Sequence, residues 1–266
     1  MAAQATELKP PRLPLLTVLH PREQTPLVVV MLFLGLGLGW LTMQQLGWPL
    51  WGATATVLAL LLIPGVLKWY SDARRYGRTV MLLSILLAAQ GFHSIEHLTQ
   101  WVQFHILNWT ARASTGLLSA ANAEWVHFVW NWIVLAAVIY LLCNGMRNVW
   151  AWLLLAWALG HTLEHTYLFI RYLIVLDDLR RMGITDVTAQ GLPGVIGRDG
   201  WLARSATTQG TFLCQVPGVT TANRLDVHFW WNVGEMGLLL VAAHSYLRAV
   251  LPKYTEAQAP ARSTEV

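Results

Sequence analysis

The sequence predicts an all-α integral membrane protein with six transmembrane helices, four of which form two copies of one hairpin. Of the 266 residues, 55% are hydrophobic and 12% are charged, whereas a soluble domain carries about 25% charged residues. The apolar residues form six runs of about twenty residues or more, the length at which a helix crosses a bilayer. The third and fourth runs share motifs with the fifth and sixth, which indicates an internal repeat.

Six spans and two tails account for the chain. The predicted spans are residues 27–46, 50–68, 79–106, 122–143, 148–174 and 226–249. The supporting hairpin made by the first two spans contains no histidine, and the first tail lacks the apolar core of a signal peptide. The resulting segments are a tail (1–26), the supporting hairpin (27–68), a first repeat hairpin (79–143), a second repeat hairpin (148–249) with a long outer loop (176–221), and a tail (250–266).

The distribution of lysine and arginine places both tails in the cytoplasm. With six spans the two tails share one side, which holds eleven of these residues, and the other side holds seven, five of them in the long loop. Since positive charge favours the cytoplasmic side, we expect an integral protein of a bacterial inner (plasma) membrane with both termini cytoplasmic. The net charge of +4 requires no nucleic-acid partner, because anionic membrane lipid attracts it.

The internal repeat concentrates polar residues inside the apolar runs. Residues 121–131 read ANAEWVHFVWN and residues 222–232 read ANRLDVHFWWN, identical at seven of eleven positions. The spans before them carry HSIEH and HTLEH. Asn122 and Asn223 lie where the helices should begin, so both are predicted helix N-caps. Histidine and glutamate are costly in a bilayer, and their presence in both copies indicates a use.

The repeated residues predict a metal site in a four-helix core. Histidines at positions i and i+4 lie on one face of a helix, and the four helices bring these faces to one depth. No lysine or arginine lies at that depth to neutralise the carboxylates, whereas a transition metal would, and imidazole is its usual ligand. We expect two ions of iron or copper, with zinc also compatible; the alternative is one ion shared by four histidines. The predicted ligands are His93, Glu96, His97 and His127 in the first copy, and His161, Glu164, His165 and His228 in the second.

Three further residues are predicted to support this site. Asn131 and Asn232 follow the last histidine of each copy by four residues and are expected to orient a histidine or hold a water. Glu235 has no acidic counterpart, because Val134 occupies that place in the first copy. It is predicted to be a catalytic proton carrier, or alternatively to form a hydrogen bond between helices. The glycine-rich stretch at 191–203 predicts either a lid over the site or a docking surface for another subunit of a membrane complex.

Three functions remain open from the sequence. The favoured one is a non-haem, dinuclear iron or copper oxidoreductase acting on a lipid-phase or small apolar substrate. The second is a haem-b electron-transfer subunit of a membrane complex, although paired histidines on one helix face do not suit separate haems. The third is a zinc hydrolase or a metal transporter, and a transporter should carry ligands towards both membrane faces.

Overall fold

The regular structure in the computed structural model is helical throughout the described residues, 13–185 and 191–258. The ends of both predicted tails and residues 186–190 of the predicted outer loop lie outside these ranges. Three short 3₁₀ segments, Arg22–Gln24, Ser119–Asn122 and Phe212–Gln215, join the α-helices. The α-helices are α1 Pro14–Leu19, α2 Thr25–Leu46, α3 Leu50–His105, α4 Glu124–Cys143, α5 Val149–Arg181, α6 Trp201–Arg204 and α7 Arg224–Gln258.

Three helical segments are long and apolar enough to cross a membrane: Arg22–Leu46, which contains α2, together with α3 and α4. On α2 the large side chains of Phe33 and Trp40 are exposed, as expected of a surface that faces lipid. The apolar stretches of α5 and α7 are interrupted by the second set of histidines and glutamates, which lowers their hydropathy.

Helix α3 folds back on itself at Gly77. This glycine has φ 80° and ψ 170°, outside helical geometry, and such a backbone is readily adopted only by glycine. Lys68 Nζ donates to Ser84 Oγ at 2.5 Å, although sixteen residues of straight helix would separate them by about 24 Å. The two arms of α3, 50–76 and 78–105, are therefore a helical hairpin, and the predicted connection at 69–78 is largely helical.

Close packing joins α2 to the first arm of α3. A Cβ on Gly35 would lie 3.0 Å from Val57 Cα, and one on Gly39 would lie 3.2 Å from Ala53 Cβ. Lipid is as apolar as leucine, so helices in a membrane associate by such close approach rather than by a hydrophobic driving force.

The remaining long helices form a bundle, and its apolar core lies beside the polar residues of the repeat. Helix α7 packs against α3 and α5, α4 packs against α5, and α3 makes a smaller contact with α4. The core includes the buried side chains Leu83, Leu87, Val138, Leu141, Leu154, Leu239 and Leu247. These apolar contacts pack the helices that carry the histidines against one another.

Part of the first predicted tail packs against the bundle. Within the predicted tail 1–26, α1 packs on the bundle, and Val18 is fully buried. Lys68 Nζ donates to the carbonyl of Val18, and buried Asp72 accepts from Lys68 at 2.5 Å and Arg22 at 2.8 Å. Residues from Pro14 onwards therefore belong to the fold.

Two helices continue beyond the apolar spans that the sequence predicts. Helix α5 continues to Arg181, past the predicted end at 174, and α7 continues to Gln258, past 249. The hydropathy pattern marks the apolar part of each helix, whereas the backbone hydrogen bonds continue into polar residues.

Candidate metal centre

The structure brings six of the predicted ligands into one cluster. Their rings form an unbroken chain of contacts with centroid separations from 4.6 Å, for His93 and His97, to 5.9 Å, for His127 and His228. The two copies of the repeat meet directly, because His127 stacks on His165 at 5.0 Å. This histidine cluster consists of His93 and His97 from α3, His127 from α4, His161 and His165 from α5, and His228 from α7.

Three of these residues form the tightest group, called the first triad: His93, His97 and His127. Each contributes a ring nitrogen that lies within 4.8 Å of the other two. Metal–nitrogen bonds of about 2.0–2.1 Å in tetrahedral geometry place ligand nitrogens about 3.3 Å apart, so each nitrogen would move at most about 0.8 Å. No other group of histidine, cysteine and carboxylate side chains in the described part of the chain converges so closely.

Six ring nitrogens of the histidine cluster lack hydrogen-bond partners. Ten buried side-chain nitrogen or oxygen atoms of the described residues have none, and six of these ten are imidazole nitrogens of the cluster. In the first triad they are Nε2 of His93, Nε2 of His97 and Nδ1 of His127. A buried unpaired polar atom costs about 1–3 kcal/mol, so their concentration at one place fits a site that a cation completes.

A hydrogen-bonded chain fixes the tautomer of His97. The carbonyl of Thr115 accepts from Asn122 Nδ2 at 2.7 Å, and Asn122 Oδ1 accepts from Gln100 Nε2 at 2.8 Å. Gln100 Oε1 must then accept from His97 Nδ1, 2.9 Å away. The proton on Nδ1 leaves Nε2 with its lone pair, the arrangement that a metal ligand needs.

The second copy is built differently around His161. Nδ1 of His161 donates to Glu235 Oε2 at 2.7 Å, and its ring stacks on Trp231 at 5.2 Å with an angle of 5° between the planes. Nε2 of His161, both ring nitrogens of His165 and Oε1 of Glu235 are buried without partners. Glu235 thus joins the cluster through His161, at a place where the first copy has the apolar Val134.

His228 connects the two copies. Its ring lies 5.8 Å from that of His97 and 4.9 Å from that of His165. Its Nδ1 donates to the backbone carbonyl of Arg224 at 2.8 Å, which leaves the Nε2 lone pair available.

The two predicted glutamate ligands bind loops. Glu96 accepts from the backbone amides of Leu117 at 2.8 Å and Leu118 at 3.0 Å. Glu164 accepts from Val195 at 3.1 Å and, more weakly, from Ile196 at 3.4 Å. Each buried carboxylate therefore has backbone amides as hydrogen-bond partners, and its role as a metal ligand stays a prediction.

A glycine makes each of these contacts sterically possible. A Cβ on Gly116 would lie 2.1 Å from Glu96 Oε1, and one on Gly194 would lie 1.8 Å from Glu164 Oε1. In the sequence each glycine is followed by two apolar residues, GLL and GVI, after an HxxEH motif. That shared pattern is the signal in the sequence for these two contacts.

Asn131 and Asn232 contact the backbone of a histidine and not its ring. Their Nδ2 atoms donate to the carbonyls of His127 and His228, each at 2.9 Å and one helical turn back. Asn232 Oδ1 is buried without a partner, so this atom remains available to the site.

Only one of the two predicted N-caps forms. Asn223 Oδ1 accepts from the amide of Asp226 at 2.9 Å, which confirms that cap. The prediction is wrong for Asn122, because α4 begins after Ala123 without a side-chain cap and Asn122 bonds Gln100 instead.

An ion pair between the copies was not predicted. Arg224 Nη2 lies 2.6 Å from Glu124 Oε1, and the carboxylate is almost completely buried. The two residues begin α7 and α4 and are a hundred positions apart in sequence, so no local pattern identifies the pair.

No family profile, no curated protein and no solved structure matches the chain. The function is therefore inferred from the geometry of the site.

Proposed function

We propose that the chain is a membrane-embedded metalloprotein, a non-haem iron or copper oxidoreductase acting on a small apolar substrate from the lipid phase. The observation that carries this proposal is the first triad, where three buried imidazole nitrogens converge without hydrogen-bond partners.

The donor set favours a borderline transition metal. Six imidazoles and one carboxylate with an unpartnered oxygen surround the site. Such a set suits copper, iron, nickel or zinc rather than magnesium or calcium. We place one ion at the first triad and a second, in the dinuclear form of the proposal, near His161, His165 and His228.

The packing of the rings disfavours haem. Neighbouring imidazoles of the cluster lie 4.6–5.9 Å apart, and these direct ring contacts leave no gap for a porphyrin plane between two histidines.

The residues around the histidine cluster have separate roles. Bound iron or copper would supply electron transfer to a small oxidant such as dioxygen. Gln100 fixes the tautomer of His97, and the loop held by Glu96 limits the access of water to the first triad. Glu235 holds a proton at Oε1 or receives one there, since its other oxygen accepts from His161.

An apolar substrate would approach at His93. This histidine is only half-buried although its Nε2 is enclosed. Trp130 lies against it at 5.5 Å and is held by a hydrogen bond from its Nε1 to Gln90 Oε1. A half-buried ligand beside an indole gives a lipid-phase molecule a lateral route to the first triad.

The proposal includes six crossings of a bacterial inner membrane with both termini in the cytoplasm. The fold-back at Gly77 supports it, because each arm of α3 is then long enough for one crossing. Helices α5 and α7, of 33 and 35 residues, are about 50 Å long and exceed the apolar thickness of a bilayer.

Metal analysis combined with visible and paramagnetic-resonance spectra of the purified chain tests the function. Iron or copper that oxygen reoxidises after reduction would support the proposal. Zinc alone, a haem absorption band, or no metal after loading would overturn it.

A further inference from the structure

We propose that the loop segment at 193–198 frames an access port through which a water-sized, uncharged ligand reaches His228 from the outer end of the bundle. This inference rests on the proposed function for one point only, which is the role of the port: it would deliver a small ligand to the metal or release a protonated product. Its existence can be tested without a metal.

A small cavity carries the proposal. It is lined by Gly194, Arg198, Glu164, Arg224, Val227 and His228, and its volume is about 10 Å³. That is close to the smallest volume that holds one water molecule. Arg198 is exposed whereas His228 is 6% exposed, so the cavity runs from a residue in contact with the surroundings to a member of the histidine cluster.

The lining chemistry selects the ligand. The two arginines offer donors, and Glu164 offers acceptor oxygens. His228 adds an acceptor, because its Nδ1 proton is already given to the carbonyl of Arg224. A water needs two to four polar partners, and these side chains supply them. A larger anion would be too big for the cavity and would be repelled by the Glu164 carboxylate.

Two attachments hold the port in shape. Glu164 accepts from the amides of Val195 and Ile196. Arg224 donates to the carbonyl of Leu192 at 2.5 Å and to Glu124 at 2.6 Å. Releasing the Glu164 contact would widen the passage to His228.

The first copy of the repeat lacks the arginine that lines this port. Its loop is held by Glu96 in the same way, but Ala123 stands where the second copy has Arg224. The two copies therefore provide matched positions: Val126 precedes His127 as Val227 precedes His228.

The experiment measures exchange of the imidazole C2 hydrogen with deuterated water by mass spectrometry, on the full-length chain above the titration range of histidine. We expect His228 to exchange several-fold faster than His165, which is buried in the cluster. Val227→Phe should slow exchange at His228 several-fold, whereas the matched Val126→Phe should leave it unchanged.

Two further variants keep the test decisive if Val227→Phe does not fold. Arg198→Ala and Glu164→Gln should each speed exchange at His228, and Glu96→Gln should not. Equal rates at His228 and His165, or no response to the Val227, Arg198 and Glu164 variants, would overturn the port. Faster exchange that chloride suppresses would overturn the uncharged ligand in favour of an anion. A port in a chain that binds no metal would refute the proposed function and leave the port standing.

Discussion

Oε2 of Glu235 on α7 accepts a hydrogen bond from Nδ1 of His161 on α5 at 2.7 Å, with both side chains almost fully buried. The second oxygen of the carboxylate is buried without a partner. This pair distinguishes the second copy of the repeat from the first and places one ionisable oxygen beside the histidine cluster.

Replacing Glu235 by Gln should separate chemistry from metal binding. Loss of a positioned proton carrier costs about 10²–10⁴-fold in rate, so oxidation of the reduced metal by oxygen should slow by that order. Metal content should stay at the wild-type level, because the amide still accepts from His161. Stopped-flow kinetics and metal analysis give the two quantities.

An unchanged reaction rate would show that Glu235 only joins two helices. Loss of metal in this variant would instead make Glu235 a ligand.

His97→Ala should abolish binding at the first triad without unfolding the bundle. His97 supplies one of three converging nitrogens, and two imidazoles cannot complete a site that needs three or four ligands. His165→Ala should also lower metal content, because its two nitrogens lie unpartnered between the copies. Metal analysis and a thermal unfolding curve check both variants.

His105→Ala is the control for these changes, since His105 pairs with Asp226 at 2.6 Å outside the cluster. Full metal content in both His97→Ala and His165→Ala would contradict the ligand assignment.

Gln100→Leu should weaken metal binding by about 10–100-fold, the usual effect of removing a hydrogen bond that orients a ligand. The leucine cannot accept from His97 Nδ1, so the tautomer with a free Nε2 is no longer selected. Competition with a chelator measures the affinity.

Gln103→Leu is a matched control one turn later on α3. Gln103 is also buried, but it exchanges hydrogen bonds with the backbone of Gly116 and not with a histidine. Equal losses of affinity in the two variants would attribute the effect to general destabilisation.

Gly116→Ala and Gly194→Ala should each detach an outer loop. The new Cβ would overlap a carboxylate oxygen of Glu96 or Glu164, and hydrogen bonds to charged groups contribute about 1.5–3 kcal/mol each. Gly116 also has φ 74°, which disfavours alanine. We expect a lower unfolding temperature and faster proteolysis at the affected loop.

Gly37→Ala on α2 should behave oppositely, because a Cβ there meets no atom within 4 Å and alanine is about 1 kcal/mol better than glycine inside a helix. Wild-type protease resistance in both loop variants would refute the glutamate contacts.

The sequence by itself determined the helical fold class, the presence of helices apolar enough to cross a membrane and the meeting of six histidines. Both follow from local rules: apolar run length indicates membrane-spanning helices, and the i, i+4 spacing of His93 and His97 or His161 and His165 fixes a shared face. Once such helices pack side by side, residues at one depth meet, so the cluster was predictable without knowing any loop.

Only the tertiary structure decided what the carboxylates do and at which residue of the predicted connection 69–78 the chain reverses. Glu96 and Glu164 bind amides 21 to 32 residues away, Arg224 pairs with Glu124 a hundred residues away, and α3 reverses at Gly77. Helix periodicity depends on residues within one or two turns of each other. These contacts depend instead on how the loops pack against the assembled bundle, which the spacing of residues within a helix does not determine.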